Sequence, residues 1–116
     1  MLSIVLPAKN EAESLVTLLQ KLRVAQPEAE ILVMDDGSTD TTPAICTQYG
    51  VRCLSAPYSM GNGAAIKRGA RVARGEVIVF MDADGQHDPA EIAHLLEKLE
   101  QGYDMVVGAR DWSGQA

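Results

Sequence analysis

The residues with the strongest chemical signal lie between positions 82 and 86, directly after the apolar run 77–81. If the chain stays extended there, alternation places Asp82 and Asp84 on the same side. Two carboxylates, with the amide oxygen of Gln86 two residues further on, are hard oxygen ligands of the kind that Mg²⁺ or Mn²⁺ prefers. An isolated Asp-x-Asp is also typical of a turn at a strand end. The buried strand before it and the glutamine after it favour a divalent-cation site.

A second acidic pair, Asp35 and Asp36, ends another predicted strand. Carboxylates at that place can accept hydrogen bonds from a nucleotide base or from ribose hydroxyls. The same residues could instead form a turn, together with Ser38 and Asp40, that satisfies the backbone of the next helix. For Ser38 and Asp40 the turn is favoured, whereas for the acidic pair both interpretations stay open.

Two further segments carry weaker signals. Gly61-Asn62-Gly63 resembles a dinucleotide-binding fingerprint, but Ile66 stands at its third glycine position and the segment follows the third predicted strand instead of the first. Lys67, Arg71 and Arg74 share one helix face that could meet phosphates or anionic lipid. A solvated face is favoured for these three cations.

Short β-branched runs alternate with longer segments of helical period, in the order βαβαβαβαβ. Strands separated by such helices are parallel, with right-handed crossovers. The sequence therefore predicts an α/β, Rossmann-like, doubly wound fold with about five strands and helices on both faces. Ligands of such sheets bind beyond the carboxyl ends of the strands, near the reversal of strand order. The predicted strands cover residues 3–6, 31–34, 51–54, 77–81 and 105–107, and the predicted helices begin at residues 11, 41, 64 and 89.

Three residues are predicted to define helix ends. Asn10 can cap the first helix, with Glu13 completing a capping box. Gly50 follows the second helix, and Gly75 can end the third in a left-handed conformation.

Composition sets the broad class. The 116 residues suffice for one domain, and 47% of them are apolar and 22% charged, as in ordinary globular domains. The formal charge of −6 argues against a nucleic-acid partner and suits a cation site. No run approaches the ~20 apolar residues of a membrane span, and no targeting segment is visible, so we expect a cytoplasmic protein. Cys46 and Cys53 are predicted to be reduced, packed thiols.

Together these segments resemble the family 2 glycosyltransferases of the GT-A fold, with the greatest likeness to the dolichyl- and polyprenyl-phosphate sugar transferases. Any one block is weak, but four in the family's order, over nearly the whole chain, make a strong resemblance. The blocks are residues 3–11, 35–40, 61–87 and 107–110.

The resemblance implies a role for individual residues. Pro7, Lys9 and Glu11 match positions around the base and ribose, although an aromatic residue often stands in place of Lys9. Asp35 and Asp36 match an acidic pair that touches the base. The remaining matches are Asp82, Asp84 and Gln86 as metal ligands, Ala83 beside the ribose, and Arg110 at the diphosphate.

The implied reaction is transfer of a sugar from a UDP- or GDP-linked donor to an acceptor such as polyprenyl phosphate. It would be assisted by Mg²⁺ or Mn²⁺ and would usually invert the anomeric centre, as in cell-wall or glycan biosynthesis. Family members usually continue for another hundred residues or more, which supply acceptor contacts and any catalytic base. The resemblance thus covers the nucleotide-sugar-binding half. Ending the sheet after the fifth strand leaves an open edge, which suits a homo-oligomer, and a lipid acceptor suits the inner face of a membrane.

Two alternatives stay open. The chain could be a nucleotide-sugar-binding module or fragment without turnover, as the missing acceptor half suggests. A phospho-aspartate receiver domain shares the length and the acidic clusters. Receiver domains, however, place their acidic residues after strands one and three, whereas here the pairs follow strands two and four.

Overall fold

A computed structural model describes residues 1–83, 92–94, 97 and 107–108. Strands and helices alternate as the sequence predicts, and residues 92–94 and 97, within the predicted fourth helix, are helical. No helix in these residues is long and apolar enough to cross a membrane. The elements are β1 (Leu2–Ala8), α1 (Ala12–Ala25), β2 (Glu30–Asp35), α2 (Thr42–Gln48), β3 (Arg52–Ser55), α3 (Asn62–Val72), β4 (Val77–Met81) and β5 (Val107–Gly108).

The five strands form one parallel sheet in the order β3-β2-β1-β4-β5. The central strand β1 pairs with β2, where Ala8 is opposite Asp35, and with β4, where Val5 is opposite Phe80. The chain builds the sheet outward from β1 to β3 and then returns past β1 to β4. Strand order therefore reverses between β1 and β4, where doubly wound sheets bind their ligands. This order confirms the predicted parallel α/β class and differs from the 2-1-3-4-5 order expected of a receiver domain.

Two apolar layers cover the faces of the sheet. Successive residues of β1 point to opposite faces, so Ile4 and Leu6 enter one layer and Val5 the other. All three are fully buried, as a central parallel strand requires. The first layer is completed by α1 through Leu15, Leu18, Leu19 and Leu22 and by Cys46 of α2, and the second by Ala65 of α3 with Leu32, Met34 and Phe80.

The prediction that Asn10 caps α1 is wrong. Asn10 has a left-handed backbone (φ 54°), and its side-chain oxygen accepts hydrogen bonds from Thr39 N (2.8 Å) and Asp40 N (3.3 Å). The first turn of α1 is capped from outside, since Ala12 N donates to the Asp40 carboxylate at 3.2 Å. These hydrogen bonds therefore fix the turn after β2 against the start of α1.

The amino ends of β1 and β2 are joined by Glu30, whose side chain is only 13% exposed. One of its carboxylate oxygens accepts from Ser3 Oγ and from Arg74 N, both at 2.8 Å. The other lies 3.9 Å from Arg52 and 4.0 Å from Arg74. Burial raises the pKa of Glu30, but these hydrogen bonds and cations outweigh it and hold the pKa below its ordinary value.

Gly75 belongs to the same edge, and its predicted left-handed conformation is wrong. The positive-φ glycines of the described chain are Gly37, Gly50 and Gly61. Gly50 follows the end of α2, as predicted. Gly75 instead donates its N–H to Ser3 Oγ at 2.8 Å. A Cβ at Gly75 would lie 2.6 Å from that oxygen, so close approach to β1 is what requires glycine here.

Candidate functional site

A cavity of about 220 Å³ opens at the carboxyl ends of β1, β2 and β4, where strand order reverses. It is smaller than the ~300–1,000 Å³ of typical ligand sites, so it suits part of a nucleotide. Six of the nine predicted nucleotide-sugar-binding residues line it. Those six are Pro7, Lys9, Glu11, Asp36, Asp82 and Ala83, and Ala8 completes the wall.

The other predicted site residues are placed differently or lie outside the description. Asp35 is beside the cavity at the end of β2 but does not line it. Asp84, Gln86 and Arg110 lie outside the described residues. The proposed metal set is therefore represented by Asp82 alone, and the described residues include no cluster of three potential metal ligands.

Asp82 follows the last residue of β4 and is half-buried on the cavity wall. Within the described part of the chain its carboxylate has no hydrogen-bond or ion-pair partner. A partly buried carboxylate with free acceptor positions gains from a cation or a hydrogen-bond donor in the cavity. Such a group fits a ligand of a hard divalent cation.

The charges around the cavity are mixed. Lys9 is exposed, Glu11 half-buried and Asp36 nearly buried, and all three border the same space as Asp82. The carboxylates outnumber the single lysine. An anionic diphosphate would be repelled by this wall unless a cation offsets the negative charge.

The carboxylate of Asp35 is used within the fold. One oxygen accepts from Ser38 N at 3.0 Å and the other from Ser55 Oγ at 2.9 Å. With 3% of its surface exposed, Asp35 stabilises the turn after β2 and ties it to the end of β3. Its expected contact with a base stays a prediction.

Asp36 holds the segment that leads into α3. Its carboxylate accepts from Met60 N (2.6 Å), Gly61 N (3.0 Å) and Ser59 Oγ (3.0 Å). The bond from Met60, helped by Gly61, Ser59 and the charge of Lys9, holds the pKa of Asp36 below its ordinary value despite partial burial. Asp36 thus faces the cavity and fixes residues 59–61 at the same time.

The favoured turn interpretation is confirmed for Asp40, whose carboxylate satisfies the backbone at the start of α2, whereas Ser38 has its partner in the loop before α1. Ser38 Oγ accepts from Asn10 N at 2.9 Å. Asp40 accepts from Thr42 N at 2.9 Å and from the Thr42 hydroxyl, which is the main reason that the pKa of Asp40 is lowered. Both residues position the elements around the site and do not line its cavity.

The contact between residues 58–61 and the turn after β2 was not predicted from the sequence. Gly37 has φ +73°, and a Cβ there would lie 2.7 Å from Ser59 N and from the Tyr58 carbonyl carbon. The two loops therefore touch through their backbones. Gly37 and its neighbours Tyr58 and Ser59 are more than 20 residues apart in the chain. The Asp-Gly pair at 36–37 therefore predicted a turn there but not the contact with the second loop.

With the geometry established, comparison with known proteins identifies the family. The sequence matches Glycosyl transferase family 2 over residues 3–116. The chain belongs to this family. Membership confirms the resemblance inferred from the four sequence blocks and agrees with the position of the cavity.

Two relatives in the family have names that mention lipid phosphates. Polyprenol monophosphomannose synthase of Mycolicibacterium smegmatis is 35% identical over 116 positions, which cover 92% of this chain and 44% of that protein. Dolichol-phosphate mannosyltransferase of Pyrococcus furiosus is 35% identical over 114 positions, covering 93% and 32%. The chain therefore spans less than half the length of either relative.

A solved structure shares the fold of this chain. Glucosyl-3-phosphoglycerate synthase from Mycobacterium tuberculosis, in complex with Mn²⁺ and UDP-glucose, superposes with a TM-score of 0.74 at 28% identity. The match covers 88% of this chain and 40% of that one. This likeness confirms the expected GT-A class of fold.

Proposed function

We propose that residues 1–116 form the nucleotide-sugar-binding domain of a glycosyltransferase, which moves a sugar from a nucleotide-diphosphate donor to an acceptor. The observation that carries this proposal is the cavity at the β1–β4 reversal point, which brings together six residues chosen from sequence alone. Nucleotides bind at this place in doubly wound sheets. The UDP-glucose complex of the Mycobacterium tuberculosis enzyme supports the same donor class.

In this proposal the base and ribose lie against Pro7, Lys9 and Glu11 at the end of β1. Ala83, whose side chain is 1% exposed, forms a small apolar wall beside the sugar ring. Asp36 contributes by keeping residues 59–61 in place and by its remaining acceptor position toward the base. These residues bind and orient the donor.

The diphosphate is proposed to lie over Asp82. Asp82, Asp84 and Gln86 would hold Mg²⁺ or Mn²⁺, and the partner-free carboxylate of Asp82 within the described chain fits that task. A divalent ion bound there would offset the negative charge that develops on the departing nucleotide. Arg110 would add a bidentate contact to the same phosphate oxygens.

For the acceptor we propose a polyprenyl phosphate, as the names of the two relatives suggest for those proteins. A lipid acceptor would place the transfer at the inner face of a membrane. The acceptor contacts and any catalytic base would then come from residues beyond this domain, in keeping with the greater length of the relatives.

Calorimetric titration with UDP and GDP, in Mn²⁺ or in excess chelator, tests the metal-supported site. We expect one of the two nucleotides to bind at least about tenfold more tightly with the metal, because its charge offsets the acidic wall. Equal affinity with chelator and with manganese would contradict the proposal.

The second candidate is a nucleotide-sugar-binding module without turnover. Incubation with UDP- and GDP-sugars plus Mn²⁺ separates the two functions. Donor hydrolysis or transfer to a polyprenyl phosphate indicates the enzyme. Metal-dependent binding with neither product indicates the module.

A further inference from the structure

Charge is distributed unevenly along the chain. Residues 41–75 contain five basic residues and no aspartate or glutamate. All 16 acidic residues and the other five basic ones lie outside this stretch, in a protein whose formal charge is −6. The basic stretch covers α2, β3 and α3.

The cations concentrate on α3. This helix packs on the sheet through Ala65 and Gly69, both buried, while Lys67 and Arg71 are exposed one turn apart on its outer side. Arg68 is half-buried between them. Among the described residues, no carboxylate lies within ion-pair distance of these three cations. The outer side of α3 therefore presents positive charge that the described fold does not neutralise.

Two exposed apolar side chains lie in the segment that leads into α3. Tyr58 is 66% and Met60 49% exposed, in the segment that enters α3, and Met60 lines a narrow cleft together with Arg68. Tyrosine is enriched at membrane–water interfaces, where its ring lies at the level of the lipid headgroups. We call Tyr58, Met60, Lys67, Arg68 and Arg71 the α3 face.

A simple solvated helix face accounts poorly for this arrangement. Solvated faces usually carry both signs of charge, which form pairs three or four residues apart, and α3 contains no acidic residue. A nucleic acid fits less well than a membrane, because the acidic remainder of the protein would repel a polyanion that reached around it. A flat anionic membrane, in contrast, would contact only the basic side of the protein.

We propose that the α3 face docks onto an anionic membrane surface. This docking rests on the proposed function, because a lipid-borne acceptor is the reason that the protein would need a membrane. The docked segment adjoins the cavity, since Asp36 on the cavity wall binds Met60 N and Gly61 N. Docking would hold this rim of the cavity next to the bilayer.

Vesicle co-flotation of the full chain tests the proposal without donor or turnover. Lys67→Glu is compared with Lys21→Glu, an equal change of charge at an exposed lysine of α1, on the opposite face of the sheet. We expect the protein to float with vesicles of phosphatidylcholine mixed with phosphatidylglycerol and not with phosphatidylcholine alone. Lys67→Glu should weaken binding about 25-fold, at roughly fivefold for each unit of charge, and Lys21→Glu less than about threefold.

Three further measurements sharpen the test. Arg71→Glu should reproduce the loss, and salt at about 1 M, where the Debye length is about 3 Å, should release the protein. Unchanged nucleotide affinity of Lys67→Glu would show that its fold and cavity are intact. A parent chain that fails to bind vesicles would therefore contradict the docking proposal, whereas one that fails to bind nucleotide would contradict the proposed function.

Equal losses in the Lys67 and Lys21 variants would overturn the proposal, because net charge alone would then explain binding. Equal flotation with vesicles that contain phosphatidylglycerol and with vesicles that lack it would also overturn the proposal. Binding of a single-stranded oligonucleotide that Lys67→Glu abolishes, with no vesicle binding, would assign the face to nucleic acid instead.

Discussion

The two ends of the sheet use their charges in opposite ways. At the amino end, Glu30 is surrounded by Ser3, Arg52 and Arg74, so each carboxylate oxygen has a partner. At the carboxyl end, Asp82 is half-buried on a cavity wall and has no partner in the described part of the chain. The first arrangement stabilises the fold, and the second leaves binding capacity for a ligand.

Asp36 lies between these extremes. It belongs to the carboxyl end and lines the cavity, yet its carboxylate accepts three hydrogen bonds from residues 59–61. A carboxylate at the carboxyl end of the sheet is therefore not, by its position alone, a ligand-binding group. What distinguishes such a group is acceptor capacity that the protein does not use.

The largest effect is expected from Glu30→Ala at the amino end. Ser3 Oγ would lose an acceptor and Arg74 N would be left without its partner, so the free energy of unfolding should fall by about 3 kcal/mol. Urea denaturation measures this loss. Nucleotide affinity, measured under conditions where the variant is folded, should be unchanged, and a large fall in affinity would break the comparison between the two ends. Arg74→Ala keeps the backbone donor and provides the mild control.

Asp36→Asn should lower the free energy of unfolding by about 2 kcal/mol, because the amide replaces one acceptor oxygen and cannot receive all three donors. Urea denaturation and nucleotide titration on the same sample separate its two possible roles. Stability that is unchanged while affinity is lost would place Asp36 with Asp82, as a group reserved for the ligand.

Asp82→Ala should show the reverse pattern. Stability should change by no more than about 0.5 kcal/mol, since no described contact is lost. Manganese-supported nucleotide affinity should fall at least about tenfold, which is about 1.4 kcal/mol. Calorimetry in manganese and in chelator checks this, and a variant that binds as tightly as the parent in manganese would refute the role of Asp82.

Lowering the pH should reduce the free energy of unfolding gradually. Glu30 and Asp36 both have folded-state pKa values below their ordinary 4.5 and 3.8. Near and below those values the unfolded chain binds protons that the folded chain does not, so stability present at neutral pH is lost as the pH falls. Urea denaturation from pH 7 downward should show this decline, and it should be shallower in Glu30→Gln and in Asp36→Asn. Identical slopes in all three proteins would contradict the assignment.

Local sequence patterns predicted the elements well, because hydrophobic period and β-branched runs reflect burial directly. Val77–Met81 has the predicted bounds, whereas β1 extends beyond its predicted end because Pro7 and Ala8 continue the register with β2. Residues of the cavity were predicted because parallel strands bring their carboxyl ends to one edge and because the family resemblance assigns roles to positions there.

Contacts between distant positions could not be read from the sequence. Asn10 looks like a helix cap, but its partners lie 29 and 30 residues away, at Thr39 and Asp40. Gly75 follows a helix, but its conformation is set by Ser3, 72 positions earlier. In each case a tertiary partner outcompeted the local motif.

The central position of β1 has a consequence for native-state hydrogen exchange. Its amides are bonded within the sheet between two neighbouring strands, and Ile4, Val5 and Leu6 have no exposed surface. They should exchange with deuterium only through global opening, whereas the exposed residues 57–61 open locally. A ligand bound in the cavity would slow deuterium uptake in residues 57–61, which are held by Asp36, and leave uptake in β1 nearly unchanged. The strand that carries Pro7 would then serve as an internal reference for ligand binding.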